Sequence, residues 1–213
     1  MRPITIKLSP SAANAANIAA SQTPGAAGNL TLTALASSGL EMARILLLTT
    51  NADETSKSFV VTGTDADGSV ISETVTGVSS STAVTVNAYK TVTSIHVSAA
   101  TTAAITWGTR GTTLVGNSAT IPLNFYERTP ATIAIEISGT ANVSIIETFD
   151  DVLGSVTGAN ATFMAAQTGL TSQSSTTNST LTTNCTGIRV QLNSYSTGAV
   201  VTTRIIHTLN YGA

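Results

Sequence analysis

Residues 58–77 read SFVVTGTDADGSVISETVTG, and this stretch decides the fold class. Two segments rich in β-branched residues, 59–62 and 70–76, flank the loop Ala66-Asp67-Gly68. A three-residue loop with Gly in the left-handed conformation is a common closure of a β-hairpin, because Gly takes a positive φ without steric penalty. The stretch therefore predicts two antiparallel strands joined by a tight turn.

The length of that loop sets the register of the two strands. With the three-residue loop, Phe59 lies opposite Val75 and Val61 lies opposite Glu73. A two-residue loop, Asp67-Gly68, is the alternative, and it shifts the register by one residue so that the facing partners change. The residue pattern leaves both registers open.

The chain on both sides of this hairpin also reads as strands. Short apolar runs and apolar–polar alternation predict further strands at 30–35, 42–50, 83–86, 91–97, 103–107 and 120–126. The continuous run at 45–48 favours a strand buried on both faces. In 91–97 we expect Val92 and either Ile95 or Val97 to face inward.

The C-terminal half repeats the pattern. Segments 132–149 and 187–209 each contain two strand-like runs around a short turn, which predicts a hairpin in each. Pro122 makes 120–126 an edge strand or a linker. Segment 150–184 has little strand pattern and no charged residue after Asp151, so we expect a long functional or flexible loop.

Together these patterns predict an all-β protein of two β-sandwich or barrel-like units built from antiparallel hairpins. The expected parts are an N-terminal strand and arm at 1–29, a first β-domain at 30–116 and a second β-domain at 117–213. Within the arm, residues 4–8 read as a strand, and 9–29 reads as either a short Ala-rich helix or an extended segment.

The composition is poor in charge and rich in hydroxyl groups. Nine Lys or Arg and eleven Asp or Glu make 9 % of the 213 residues, whereas about 25 % is usual. The chain has 40 Thr and 24 Ser. Few basic residues and a net charge of −2 argue against a nucleic-acid partner. We also expect no membrane partner, because no apolar run is long enough to span a bilayer and 1–20 lacks a secretory pattern.

Candidate metal sites are few. Asp65-Ala66-Asp67-Gly68 resembles the start of a calcium loop, but the positions that would need Gly and Glu hold Val70 and Thr76. A hairpin turn explains the motif, and a weak calcium site at Asp65 and Asp67 is the alternative. Cys185 is the single cysteine and has no zinc-site spacing with a histidine, so we expect a small, half-buried apolar residue there.

Candidate catalytic and binding residues are scattered. His96 and His207 lie in predicted strands without a neighbouring carboxylate, and Glu147, Asp150 and Asp151 surround a strand end. Such carboxylates could serve glycoside hydrolysis, but a solvated strand end explains them.

Two weaker signals concern sugars. Asn160, Asn178 and Asn184 begin glycosylation patterns that chance explains in a Thr-rich chain. The larger aromatic residues could stack on sugars, although core or interface anchoring is the simpler interpretation. These residues are Trp107, Tyr126, Tyr195 and Tyr211. We therefore expect no catalytic, cofactor-binding or metal-binding residue.

Three parts of the sequence resemble a segment found in many structural proteins of tailed bacteriophages. They are TGTDADG at 62–68, SETVTG at 72–77 and YKTVTSI at 89–95. In those proteins the last part reads YFKTVTSI, and this chain lacks the Phe before Lys90. Residues 186–190 and 194–198 also resemble a unit of phage virion proteins.

This resemblance implies a non-enzymatic virion protein, made in the host cytoplasm and placed on the capsid surface. Its role would be capsid decoration: binding the major capsid protein and itself, with a trimer favoured, and stabilising the shell. The arm at 1–29 would reach a neighbouring subunit by adding a strand to its sheet. Alternatives are a tail, neck or fibre-base protein, and a carbohydrate-binding adhesion module that uses 150–184 and nearby tyrosines.

Overall fold

A computed structural model of the chain describes residues 3–123, 131–153, 161–165 and 169–207. These residues form an all-β structure with one short helix, which confirms the predicted fold class. Their strands form open antiparallel sheets and not a closed barrel. No helix in the described ranges is long and apolar enough to cross a membrane.

In chain order the elements of the described residues are β1 (Ile4–Leu8), β2 (Ala19–Gln22), β3 (Gly28–Asn29), α1 (Ala34–Ser38), β4 (Ala43–Thr50), β5 (Ser58–Thr64), β6 (Val70–Thr76), β7 (Thr82–Tyr89), β8 (Thr91–Val97), β9 (Ile105–Thr109), β10 (Gly116–Asn117), β11 (Ile121–Pro122), β12 (Ala131–Ser138), β13 (Ala141–Thr148), β14 (Met164–Ala165), β15 (Thr177–Thr180), β16 (Gly187–Tyr195) and β17 (Val200–His207).

The chain divides into two compact units. The first unit is Ala13–Gly116, and the second combines the chain up to Ala12 with the chain from Asn117 onward. The change of unit after Gly116 coincides with the predicted division between 30–116 and 117–213. The predicted arm at 1–29 is divided between the two units instead of forming a part of its own.

The first unit contains two sheets that share one apolar core. Neighbouring strands follow the order β7-β4-β9-β2 in one sheet and β3-β8-β5-β6 in the other. Phe59 and Trp107 are fully buried between them, and their rings meet edge to face with centroids 5.9 Å apart. Such a pair contributes about 0.5–1.5 kcal/mol beyond the area that it buries. Strand β4 is buried through most of its length, as its apolar run predicts.

The hairpin that decides the fold class is formed by β5 and β6. Phe59 pairs with Val75 and Val61 pairs with Glu73, so the three-residue loop is confirmed. The N–H of Asp65 donates to the carbonyl of Ser69 at 2.9 Å, which closes the loop. Gly68 has φ +84° inside the loop, a conformation that other residues rarely adopt.

A β-bulge in β8 corrects one predicted detail. Thr93 has no partner on β5, because the register shifts by one residue at this point. The shift turns Val92, Ile95 and Val97 all toward the core, where each is fully buried. The expectation that only one of Ile95 and Val97 faces inward with Val92 is therefore wrong. Strict alternation puts Ile95 and Val97 on one side of the strand and Val92 on the other, and the extra residue, Thr93, brings all three to the same side.

The predicted strand at 30–35 is wrong. The structure places α1 at Ala34–Ser38, and Thr33 is its N-terminal cap residue in extended conformation. Ala36 of this helix is fully buried in the core of the first unit. Ala and Leu are strong helix formers, and here that propensity overrides the period-two alternation of 30–35.

The N-terminal segment differs from the expected free arm. Strand β1 pairs with β17 of the same chain through five successive residues. Ile18 is fully buried in the first unit, and its N–H donates to the carbonyl of Trp107 at 3.0 Å. A side chain at Gly108 would meet the carbonyl oxygen of Asn14 at 1.9 Å, so 13–18 lies directly on β9. Segment 9–29 contains β2 and β3 and no helix.

The second unit also contains two sheets. One has the order β1-β17-β12-β15, and the other includes β14, β13, β16 and β11 as successive neighbours. Val143 and Val190 of one sheet, and Ile133 and Ile205 of the other, are buried. Alternating inward apolar residues on both sheets are typical of a sandwich core.

The two hairpins predicted at 132–149 and 187–209 are wrong in their pairing. Strands β12 and β13 lie in different sheets, and so do β16 and β17. The short turns are corners at which the chain changes sheet, and the Ser196 N–H donates to the Thr140 carbonyl at 2.8 Å between them. Gly139 has φ +83°, and its Cβ position lies only 3.1 Å from the Cα of Ala199. Strand patterns and turn residues do not reveal whether a turn leaves its sheet.

The loop expected at 150–184 is ordered where it is described. Leu170 and Leu181 are buried and anchor the segment between them. The Ile145 N–H donates to the Leu170 carbonyl at 2.8 Å, and the Leu181 N–H donates to the Ala131 carbonyl at 2.7 Å. The segment thus crosses from one sheet to the other and adds β15 to the edge of β12.

Candidate interaction surface

The outer side of the hairpin sheet in the first unit is an uncharged surface, which we call the hydroxyl face. Residues directly opposite each other in antiparallel strands point to the same side of a sheet. The outward positions of β5, β6 and β8 therefore form one continuous array. It consists of Val60, Thr62, Thr64, Val70, Ser72, Thr74, Thr76, Thr91, Ser94 and His96.

Hydroxyl groups on this face bond to one another. Thr62 Oγ1 and Ser72 Oγ lie 3.2 Å apart, and Thr64 Oγ1 and Thr91 Oγ1 lie 2.7 Å apart. These two bonds restrict the rotation of the four side chains. Covering the face costs less than covering charged groups, because neutral hydroxyls lose less solvation energy. Val70, which is 77 % exposed, adds apolar area at one edge.

The charged residue of this hairpin is turned away from the hydroxyl face. Glu73 accepts hydrogen bonds from the N–H groups of Val86 and Asn87, both at 2.8 Å. These two residues lie in β7, which belongs to the opposite sheet. The carboxylate therefore joins the edges of the two sheets, and the outward positions keep no formal acid or base besides His96.

The calcium alternative at Asp65 and Asp67 finds little support in the geometry. Oδ1 of Asp65 accepts hydrogen bonds from the N–H groups of Asp67 and Ser69, at 3.0 and 2.8 Å. Asp65 is buried and holds the hairpin loop, while Asp67 is exposed. In the described parts of the chain, no group of three or more His, Cys, Asp or Glu side chains could hold a metal ion.

Two of the three carboxylates near the end of β13 bond to nearby groups. Glu147 is buried and accepts a hydrogen bond from the Thr183 hydroxyl at 2.7 Å. Asp150 accepts one from the N–H of Thr162 at 2.5 Å, and Asp151 is exposed. These bonds tie β13 to the segments that follow it, and the burial of Glu147 differs from the solvated strand end that the sequence suggested.

The remaining candidates do not converge on one site. His96 is exposed on the hydroxyl face. Trp107 is fully buried in the core of the first unit, where its ring cannot stack on a sugar. The Tyr195 hydroxyl donates to the Ser11 carbonyl at 2.5 Å, inside the second unit. Asn178 and Asn184 are exposed. The predictions for Asn160, Tyr126, Tyr211 and the His207 side chain lie outside the described residues.

The buried ion pair at Glu54 has no signature in the sequence. Its side chain is fully buried, and Oε2 lies 2.8 Å from Lys57 Nζ. Oε1 accepts hydrogen bonds from the N–H groups of Thr102 and Ala103, at 2.7 and 3.1 Å. Burial opposes ionisation, but the hydrogen bonds from Lys57, Ala103 and Thr102 outweigh it and lower the pKa of Glu54. The carboxylate therefore holds the backbone in place.

Cys185 is kept in its unreactive form. It is more deeply buried than the half-buried position that the sequence predicted. Burial, with a contribution from the negative charge of Glu147, raises the pKa of its thiol to about 12. Because the thiolate is the nucleophile, a thiol with this pKa cannot serve in covalent catalysis near neutral pH.

Comparison of the chain with protein-family models, with curated proteins and with solved structures gave no match.

We predict that Glu54→Gln destabilises the first unit at pH 7 by about 2–3 kcal/mol, because it removes charge-assisted hydrogen bonds. The pKa of Glu54 is lower in the folded chain, so its contribution is complete above the unfolded pKa and is lost as pH falls through the folded one. Urea unfolding at pH 7 and pH 2, followed by fluorescence of Trp107, should show a larger difference from the unmodified chain at pH 7 than at pH 2.

The matched control is Glu136→Gln, which breaks an exposed ion pair with Arg204 in the second unit. Exposed pairs contribute about 0–1 kcal/mol, so the Trp107 transition should not move. An equal loss of stability at both pH values in Glu54→Gln would contradict the assigned role of its charge.

We further predict that iodoacetamide at pH 8 alkylates Cys185 of the native chain at least about 100-fold more slowly than in the urea-unfolded chain. Both burial and the raised thiol pKa of Cys185 act in this direction. Mass spectrometry of timed samples measures the two rates. A native rate within tenfold of the unfolded rate would show that the thiol is accessible.

Proposed function

We propose that this chain is a non-enzymatic structural protein of a tailed-bacteriophage particle. Its most specific role is capsid decoration, in which it binds the major capsid protein and stabilises the shell. The observation that carries the proposal is that the three phage-like segments at 62–68, 72–77 and 89–95 lie together in β5, β6 and β8. These are the strands that build the hydroxyl face.

The hydroxyl face suits permanent contact with another protein. Interfaces are depleted of charge at their centre, and this surface offers only hydroxyl, methyl and imidazole groups. Four of its hydroxyls, in two pairs, can retain their mutual hydrogen bonds when water is removed, and a partner must supply bonds to the others. The partner that fits is an equally uncharged face of the capsid protein.

The size of the face favours display in several copies. Three strands spaced about 4.8 Å apart and four rows of side chains cover on the order of 300–400 Å². A stable interface buries about 800 Å² on each partner. One face alone is therefore a weak contact, and a trimer that presents three faces to a regular shell gains affinity through multivalency.

The chemistry of the described residues supports the non-enzymatic part of the proposal. Asp65, Glu73 and Glu54 each accept hydrogen bonds from two backbone N–H groups, and the thiol of Cys185 stays protonated. In these four residues, groups that can act as bases or nucleophiles in other proteins have structural uses.

We predict that Thr74→Lys lowers the binding of the chain to capsids that lack it by at least tenfold. Thr74 is exposed on β6, the edge strand of the hydroxyl face, and a lysine in the contact would have to be desolvated without a partner. The matched control, Thr197→Lys, introduces the same charge at an exposed corner of the second unit. Co-sedimentation with capsids measures both, and equal binding by the two variants would exclude the hydroxyl face as the contact.

We also predict that purified virions carry hundreds of copies of the chain. Quantitative mass spectrometry against the major capsid protein measures this number. Six, twelve or a small multiple would instead assign the chain to the neck, tail or fibre base and would overturn the decoration role.

A further inference from the structure

A groove of about 610 Å³ lies on the outer side of the sheet β1-β17-β12-β15 in the second unit. One end of the groove is at Ala134, which pairs with Arg204 on β17 and with Asn178 on β15. Because alanine is small, its longer neighbours rise on both sides and leave a depression between them. We propose that this groove binds a neutral polyhydroxylated ligand, namely one or two sugar units of a glycan.

One wall of the groove is an ion pair. Nη1 of Arg204 lies 2.6 Å from Oε2 of Glu136, and both side chains are about half exposed. This contact uses one nitrogen of the guanidinium and one oxygen of the carboxylate. The planar guanidinium has further N–H donors and the carboxylate has a second oxygen, so the pair offers donors and acceptors side by side.

The opposite wall is neutral and polar. Asn178 is exposed and carries a carboxamide, which both donates and accepts hydrogen bonds. The Thr176 hydroxyl accepts a hydrogen bond from the Ile137 N–H at 3.1 Å, which leaves its own hydrogen to donate. Pairing of β15 with β12 ends at Thr177, and the groove extends along β12 beyond that point to Ser138.

The charges of the groove select the class of ligand. A carboxylate or phosphate ligand would meet Glu136, and a cationic ligand would meet Arg204, so either sign of charge faces repulsion. A vicinal diol suits both groups at once, because one hydroxyl can accept from the guanidinium and the other can donate to the carboxylate. Neutral sugars present such diols in fixed geometry.

The dimensions agree with a small ligand held weakly. Ligand sites usually enclose about 300–1,000 Å³, and this groove lies within that range. No aromatic side chain is present among its lining residues, so the stacking that strengthens sugar binding is missing. We expect dissociation constants of about 1 mM for one copy, and useful affinity when many copies act together.

A glycan array tests the proposal with the full chain, biotinylated and displayed as a tetramer on streptavidin. The unmodified chain should retain a set of neutral glycans, and Arg204→Gln and Glu136→Gln should each lower that signal at least tenfold. Lys7→Gln is the matched control for lost charge, since Lys7 is exposed on β1 of the same sheet but does not line the groove. It should bind like the unmodified chain.

A titration of the ¹⁵N-labelled chain with glucose, galactose and N-acetylglucosamine to 100 mM supplies a second measurement and checks that each variant is folded. At least one sugar should shift the amide signals of Ala134 and Asn178. The proposal is overturned if no sugar shifts these signals and the unmodified chain binds the array no better than Arg204→Gln does. So does retention of sulfated or sialylated glycans only. Because neither experiment contains capsids, both outcomes are independent of the decoration role.

Discussion

Three carboxylates of the first unit each accept hydrogen bonds from two backbone N–H groups, and the neutral hydroxyl face depends on this use of charge. Asp65 holds the hairpin loop, Glu73 joins the edges of the two sheets, and Glu54 fixes 102–103. Hydrogen bonds to charged groups contribute about 1.5–3 kcal/mol each, more than neutral ones. These three carboxylates thus bind the backbone of the first unit, and the hydroxyl face carries mainly hydroxyl and methyl groups.

Much of the first unit could be predicted from its sequence, because its decisive signals are local. The loop at 66–68 and the alternation around it specify one hairpin, and the structure selects the register with Phe59 opposite Val75. The bulge at Thr93 and the helix α1 were not predictable in the same way. A bulge changes the period of the pattern, and the helix depends on how Ala36 fits the core.

In the second unit, local sequence patterns predict the strands but not how they pair. Its strands β12, β13, β16 and β17 were recognised, but each turn between them leads to another sheet, and the pairing partners lie about 40–75 residues away. The groove follows from that long-range pairing. Arg204 and Glu136 meet because β17 lies beside β12, and no spacing in the sequence relates them. The hydroxyl face, in contrast, was readable as alternating Thr and Ser once the register was known.

The two proposed surfaces avoid the cost of desolvating an unpaired charge in different ways. The hydroxyl face has no charge to desolvate, and the groove pairs its two charges with each other before any ligand arrives. Neither surface therefore attracts a partner over long distances, so association should proceed at the slower rates typical of unsteered encounters. Charge-poor surfaces also allow copies to lie close together without mutual repulsion. Slow capture by weak single contacts becomes effective only when many copies are held on one particle, which is the condition that a decorated shell provides.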